Sequence, residues 1–258
     1  MTTAFDVDGP LAILTFNRPE ARNAMTWAMY DALVQACDRV DADPAIHVLV
    51  LRGAGGKAFV SGTDISQFQN FRTREDGLSY EKRLDAALDR LERLTKPAIA
   101  QIDGVAAGGG CAIAVCCDLR IATPASTFGV PVARTLGNCL SGATYSRLVD
   151  LIGPGRTKEL LFTGRMLGAA DAHAIGLVNQ IVADTDISSV VRSLALTIAG
   201  HAPLTIRATK EMLRRLALQR RLAEGADEDL IELCYTSEDF REGVAAFLEK
   251  RKPVWRGR

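Results

Sequence analysis

Gly104-Val-Ala-Ala-Gly108-Gly109-Gly110-Cys111 runs straight into an apolar stretch over residues 112–117. Successive glycines leave main-chain N–H groups unshielded, and the apolar run behind them reads as the start of a buried helix. The first N–H groups of a helix have no partner within it and sit at the positive end of its dipole, so such an end can receive an oxyanion. A glycine run equally serves close packing, and alone it does not choose between the two. A second turn, Phe59-Val-Ser61-Gly62-Thr63-Asp64-Ile65, also precedes a helix start, with Asp64 placed to cap it. Two amides converging on one point would polarise a carbonyl and hold the enolate made from it. Losing one such donor typically raises the barrier by ~3 kcal/mol.

Other chemistries lack their residues. Gly53-Ala-Gly-Gly-Lys57-Ala58 has neither the spacing nor the hydroxyl residue of a phosphate-binding loop. No Gly-x-Gly-x-x-Gly follows a strand, and there is no Gly-x-Ser-x-Gly elbow. His47, His173 and His201 stand alone in sequence and read as packed or surface residues, since a catalytic histidine needs a partner. The cysteines at 37, 111, 116, 117, 139 and 234 form no Cys-x-x-Cys pair, and no histidine lies at ligand spacing, so no metal site is expected. Reduced thiols in a cytoplasm fit this usage.

The two turns need a frame to bring them together. Leu11-Ala-Ile-Leu-Thr-Phe16 and Val48-Leu-Val-Leu51 read as strands, with a helix between them from an N-cap at Thr26 to about Val40. Phe59-Val60 is a shorter apolar piece. Helical spacing returns over 75–94, then a strand over 97–102, the glycine run with its helix, and strand-like segments at 119–122 and 126–128. Strands alternating with helices imply an α/β core built by crossovers. From about Gly142 the pattern turns helical, nearly without interruption from 188 to 250. The division expected is a core over 1–195 and a helical region over 196–258. Lysine plus arginine equals aspartate plus glutamate at 31 each, which gives no overall pull toward nucleic acid or an anionic membrane. The late basic residues read as a solvated face. No apolar run approaches the ~20 residues of a membrane span, and the first residues lack the pattern of a signal peptide.

In order along the chain, Asn17-Arg-Pro19 with Asn23-Ala24, Phe59-x-Ser-Gly62-Thr63-Asp64, Pro97-Ala-Ile-Ala with Asp103-Gly104, Gly108-Gly-Gly110-Cys, Cys117-Asp118-Leu-Arg-Ile-Ala, Phe128-Gly129, Thr163-Gly164-Arg165, Gly176-Leu-Val-Asn179 and Arg241-Glu-Gly243 with Phe247-x-Glu-Lys250-Arg251 resemble the crotonase, or enoyl-CoA hydratase/isomerase, superfamily. The resemblance covers nearly the whole chain. It implies a spiral of ββα units with a C-terminal α-helical trimerisation region, a homo-trimer or hexamer, and acyl-CoA thioesters as substrates with no further cofactor. It assigns the oxyanion-hole amides to Thr63 and Gly109. It places Arg22, Ala24, Ser61, Asp64 and Ile65 near the CoA nucleotide, and lets Phe247 and Lys250 reach a neighbouring subunit's CoA.

The chain departs from the hydratase pattern at the two carboxylates. Their positions hold Ala112 and Val132, and neither side chain can activate water or protonate carbon, help ordinarily worth ~10²–10⁴ in rate. Standard hydration is therefore not expected. Isomerisation, thioester hydrolysis, decarboxylation and acyl-CoA binding without turnover stay open. Val132 and Arg134 read as substrate contacts, with Arg134 suited equally to a substrate carboxylate or a surface acid. Gly137-Asn138-Cys139 resembles the Gly-Asn-Asp of the chlorobenzoyl-CoA dehalogenase branch, where the aspartate is the nucleophile. Asn138 and Cys139 are thus candidates for chemistry, although a free cysteine is more often a packed one.

Overall fold

The computed structural model describes residues 1–258. The elements are β1 (Thr3–Asp8), β2 (Leu11–Phe16), α1 (Trp27–Ala42), β3 (Val48–Gly53), β4 (Ala58–Val60), α2 (Arg74–Glu92), β5 (Ala98–Ile102), β6 (Val105–Ala107), α3 (Gly109–Cys116), β7 (Leu119–Ala122), β8 (Thr127–Gly129), α4 (Val132–Thr135), α5 (Gly142–Thr163), β9 (Leu167–Gly168), α6 (Ala169–Ala174), β10 (Gln180–Ile181), α7 (Ile187–Ala199), α8 (Pro203–Leu218), α9 (Glu228–Tyr235) and α10 (Glu238–Leu248). They form two sheets, one ordered β1-β2-β3-β5-β7-β10 and a smaller one ordered β4-β6-β8-β9. Each of β3, β5 and β7 lies in the large sheet and is followed by a short strand of the small sheet, then by a helix. This is the spiral of ββα units.

The central strands are apolar on both faces because both are covered. In β2 and β3, Ala12, Leu14, Phe16, Leu49 and Leu51 enter the main core beneath α1–α3. Leu11, Val48 and Val50 point the other way, with Ile99 of β5, onto Ile187, Val191 and Ala195 of α7. Alternation at period two thus splits each strand between two cores. The expected 195/196 division falls inside α7, and α8–α10 follow it.

Several elements differ from the sequence expectation. β1 pairs antiparallel with β2 in register Thr3↔Phe16 to Asp8↔Leu11, yet four of its six residues are exposed, so it carries little apolar signal. β6 is hidden among the glycines. Gly104 takes a positive φ of 84°, and this turn lets a three-residue strand fit before α3. The late helical stretch is divided into α7–α10 rather than continuous. Its basic residues are largely paired, Lys210 with Asp118, Arg214 and Arg215 with Glu211, and Arg220 with Asp150. No helix is long and apolar enough to cross a membrane.

Candidate active site

The small sheet positions the site. β4 and β6 are parallel neighbours, with Ala58 opposite Val105 and Val60 opposite Ala106. Both chains therefore turn into their following helical segments at the same end of the sheet, one strand spacing (~4.8 Å) apart. The turns touch glycine to glycine. Gly62 has φ 124° and Gly108 has φ 51°, values closed to most side chains. A Cβ on Gly108 would stand 3.7 Å from Gly62 Cα, and one on Gly110 would collide with the Val60 carbonyl. Glycines at 62, 108 and 110 are thus what allows the two turns to meet.

Thr63 is fixed from two sides. Its backbone bridges to Met25, with Met25 N–H donating to Gly62 O (2.8 Å) and Asp64 N–H donating to Met25 O (2.9 Å). Its hydroxyl lies 3.0 Å from the Tyr30 hydroxyl and 2.8 Å from that of Tyr80. Trp27 packs against both rings. The Thr63 amide nitrogen lies 3.6 Å from where a Cβ on Gly109 would stand. Gly109 opens α3, so its N–H has no acceptor within the helix. Neither the Thr63 nor the Gly109 N–H donates to any protein acceptor. Almost all buried N–H groups in proteins find a partner. Two adjacent unpaired amides, one at a helix start, can together receive a negatively charged oxygen. Tyr30 and Tyr80 went unnoticed in the sequence, although Tyr80 falls on the same helical spacing as Leu84, Leu88 and Leu91.

The residues expected near CoA cluster beside this point. The Arg22 carbonyl accepts from Ser61 N–H at 3.1 Å. Arg18 Nη1 donates to the Ala24 carbonyl (2.7 Å) and to Asp64 Oδ2 (3.1 Å). Asp64 caps a 3₁₀ turn over Ile65–Phe68, not an α-helix, by accepting from Ser66 N–H. Burial would raise the Asp64 carboxyl, but hydrogen bonds from Ser66 and Arg18 outweigh it and hold the group below the ordinary range. Ile65 packs on the core. Phe247, near the end of α10, is 52% exposed, and Lys250 lies just beyond the helix with φ 56°.

The two positions at which the hydratase resemblance led one to look for carboxylates carry apolar side chains. Ala112 is buried on α3, and Val132 packs on the core at the start of α4. Gly108, Ala112, Val115, Val130, Leu140, Thr144, Arg147 and Leu148 enclose a cavity of about 10 Å³. Arg147 does not enter it as a free cation, because Asp85, Asp89 and Glu92 all pair with it. Arg134 lies elsewhere, exposed, its Cβ against Gly164 at the end of α5.

Asn138 and Cys139 face α2 and α9. Asn138 Nδ2 donates to the Tyr235 hydroxyl at 3.1 Å, and Tyr235 donates to Glu81 Oε1 at 2.5 Å. The Cys139 thiol contacts the Leu230 carbonyl at 3.5 Å. Cys234 and burial both push the Cys139 thiol up, so it stays protonated. Burial above all pushes Cys37, Cys111 and Cys116 up to about 12.

Burial raises the Glu81 carboxyl to about 8, against the Tyr235 hydrogen bond. A carboxyl whose folded value is raised binds its proton more tightly folded than unfolded. Its stabilisation is complete below about pH 4.5 and is lost as pH climbs toward 8. Glu81→Gln keeps an acceptor for Tyr235 and removes that loss. Melting temperatures of the variant are expected to exceed the parent's at pH 9 by more than at pH 5. Parallel curves would show that Glu81 does not titrate in the folded chain.

Two adjacent strands of the small sheet of this α/β fold thus lead to two neighbouring unpaired amides, one of them at a helix start. The chain belongs to the enoyl-CoA hydratase/isomerase family, whose model matches residues 7–258. It is 37% identical over 247 residues to the crotonyl-CoA hydratase of Syntrophomonas wolfei, covering 94% of this chain and 93% of that protein. The short-chain-enoyl-CoA hydratase of Clostridium acetobutylicum is 34% identical over 246 residues, with 95% and 94% covered. Among solved structures, methylmalonyl-CoA decarboxylase in complex with 2-nitronate-propionyl-CoA superposes with TM-score 0.91 at 30% identity, over 100% of this chain and 99% of that one. An enoyl-CoA hydratase/carnithine racemase from Magnetospirillum magneticum gives TM-score 0.82 at 35% identity, over 100% and 96%.

Proposed function

We propose that this acyl-CoA enzyme decarboxylates a short 2-carboxyacyl-CoA, with the Thr63 and Gly109 amides holding the thioester oxygen. The bond between Cα and the carboxylate breaks, its electron pair passes into the thioester as an enolate, and carbon dioxide leaves. Water then protonates Cα. This route needs no base to remove a proton from carbon, no metal and no second cofactor. The observation that carries the reading is a pair of unpaired amides beside an apolar wall that includes Ala112, Val115 and Val130. Decarboxylation draws on charge stabilisation, and departure of a carboxylate is easier from apolar surroundings. The likeness to a methylmalonyl-CoA decarboxylase supports it. Six free thiols fit action in a reducing cytoplasm.

The names of the sequence relatives favour a second reading, hydration of a short enoyl-CoA. Incubation with methylmalonyl-CoA and with crotonyl-CoA separates the two. Release of carbon dioxide with formation of propionyl-CoA is expected, and crotonyl-CoA hydration is expected to be slower than that of a glutamate-bearing hydratase by roughly 10²-fold or more. Efficient hydration without carbon dioxide would overturn the proposal, and binding of both esters without turnover would leave a binding protein.

Self-association through the late helices belongs to the same reading. No residue of α8 is buried, and Leu204, Met212, Leu213 and Leu216 stand exposed on it. Such an apolar surface ordinarily marks an interface. Leu213→Glu is expected to lower the mass found by light scattering from trimer or hexamer toward monomer. An unchanged mass would place the interface elsewhere.

A further inference from the structure

We infer that Cys139 and Cys234 form a redox-modifiable dithiol, closed to an intramolecular disulfide by peroxide. The pair lies between the loop ahead of α5 and the helix α9. Two contacts hold Cys139 over the right part of that helix. Its thiol meets the carbonyl of Leu230, one helical turn before Cys234, and the neighbouring Asn138 reaches the hydroxyl of Tyr235, the residue after Cys234. α9 is itself fixed against α2, where a Cβ on Gly77 would stand 2.7 Å from Tyr235. The loop and the helix therefore hold the Cys139 sulfur beside the turn of α9 that carries Cys234.

Exposure and charge also set this pair apart. Cys37, Cys111, Cys116 and Cys117 are buried, whereas Cys139 and Cys234 are only partly so. The Cys139 thiol lowers Cys234 to about 7, against the effect of burial. Cys234 is thus partly thiolate at neutral pH, and the thiolate is the reactive form. Cys139 keeps the proton and serves as the resolving thiol.

The step balances. The Cys234 sulfur attacks one oxygen of hydrogen peroxide, an S–O bond forms, the O–O bond breaks, and hydroxide leaves. The Cys139 sulfur then attacks the sulfenic sulfur. The S–S bond forms, the S–O bond breaks, and the second hydroxide leaves. The Cys234 and Cys139 protons turn the two hydroxides into water. Each thiol gives up one electron, and the peroxide takes both. The product ties the loop bearing Leu140, a wall of the cavity beside Gly108, to α9.

The test reads mass and not turnover, so it stands apart from the proposed reaction. Trypsin releases Cys139 in the peptide 135–147 and Cys234 in the peptide 222–241, each with a single cysteine. After hydrogen peroxide at pH 7, the two peptides are expected to run as one linked species. That species should revert with dithiothreitol, and the full chain should run as a monomer on a non-reducing denaturing gel. Cys139→Ser should leave Cys234 as a sulfenic acid captured by dimedone. The inference fails if both thiols still alkylate fully after peroxide, or if the link joins two chains.

Discussion

Gly109→Ala is expected to lower kcat on the acyl-CoA substrate by roughly 10²–10³-fold, the usual effect of losing one oxyanion donor. The added methyl would stand 2.6 Å from the Tyr30 hydroxyl and 3.2 Å from Thr63 Oγ1. Tyr30 is buried and bonded to Thr63, so the start of α3 must shift instead, and the amide at 109 with it. An interaction made mainly with the transition state affects kcat more than KM. Adding Tyr30→Phe removes the nearest obstructing atom, while Tyr80 still holds Thr63. The double variant should therefore recover part of the loss. A folded Gly109→Ala protein with parental kcat would sink the assignment of this amide.

Arg147→Leu is expected to cost about 3–5 kcal/mol of stability at pH 7, the range for breaking a buried pair. The Arg147 side chain is only 4% exposed and meets Asp85, Asp89 and Glu92. Leucine would leave Asp85 and Asp89 without that partner, and Glu92 with Arg221 alone. Burial raises Asp85 even in the parent, despite Ser141 and Arg147. Burial also raises Glu92, but Arg147 and Arg221 together more than reverse this and hold it below its ordinary value. Removing Arg147 takes away attraction that opposes burial at Asp85 and Glu92, so both carboxyls rise in the folded chain. The destabilisation is then full at neutral pH and shrinks as pH falls and they protonate. Urea midpoints at pH 7 and pH 5 check this, and a variant matching the parent at pH 7 would show the cluster to be dispensable.

Local residues were enough to read most of the frame. β2, β3, β5, α1, α2 and α3 lie close to where apolar spacing and end signals put them, because burial on both faces of the strands writes continuous apolar runs and helix packing writes a 3.6-residue period. β1 escaped because it is held by main-chain pairing to β2 and leaves most side chains outside. The two-residue strands β9 and β10 were equally invisible, since a strand of that length shows no period. Both glycine turns were legible too, glycine being the residue that tolerates positive φ and close backbone approach.

Residue type and local order were enough for the α/β class and the two glycine turns, while the absence of carboxylates at 112 and 132 took its meaning from the family resemblance. Tertiary structure alone decided that β4 and β6 are adjacent, that Tyr30 and Tyr80 clamp Thr63 from two helices, and that Arg134 goes to Gly164 while Cys139 goes to α9. The physical reason is range. Periodicity and turn chemistry act over a few residues, whereas these contacts join positions 17 to 91 residues apart, set by strand pairing and packing that no local pattern records.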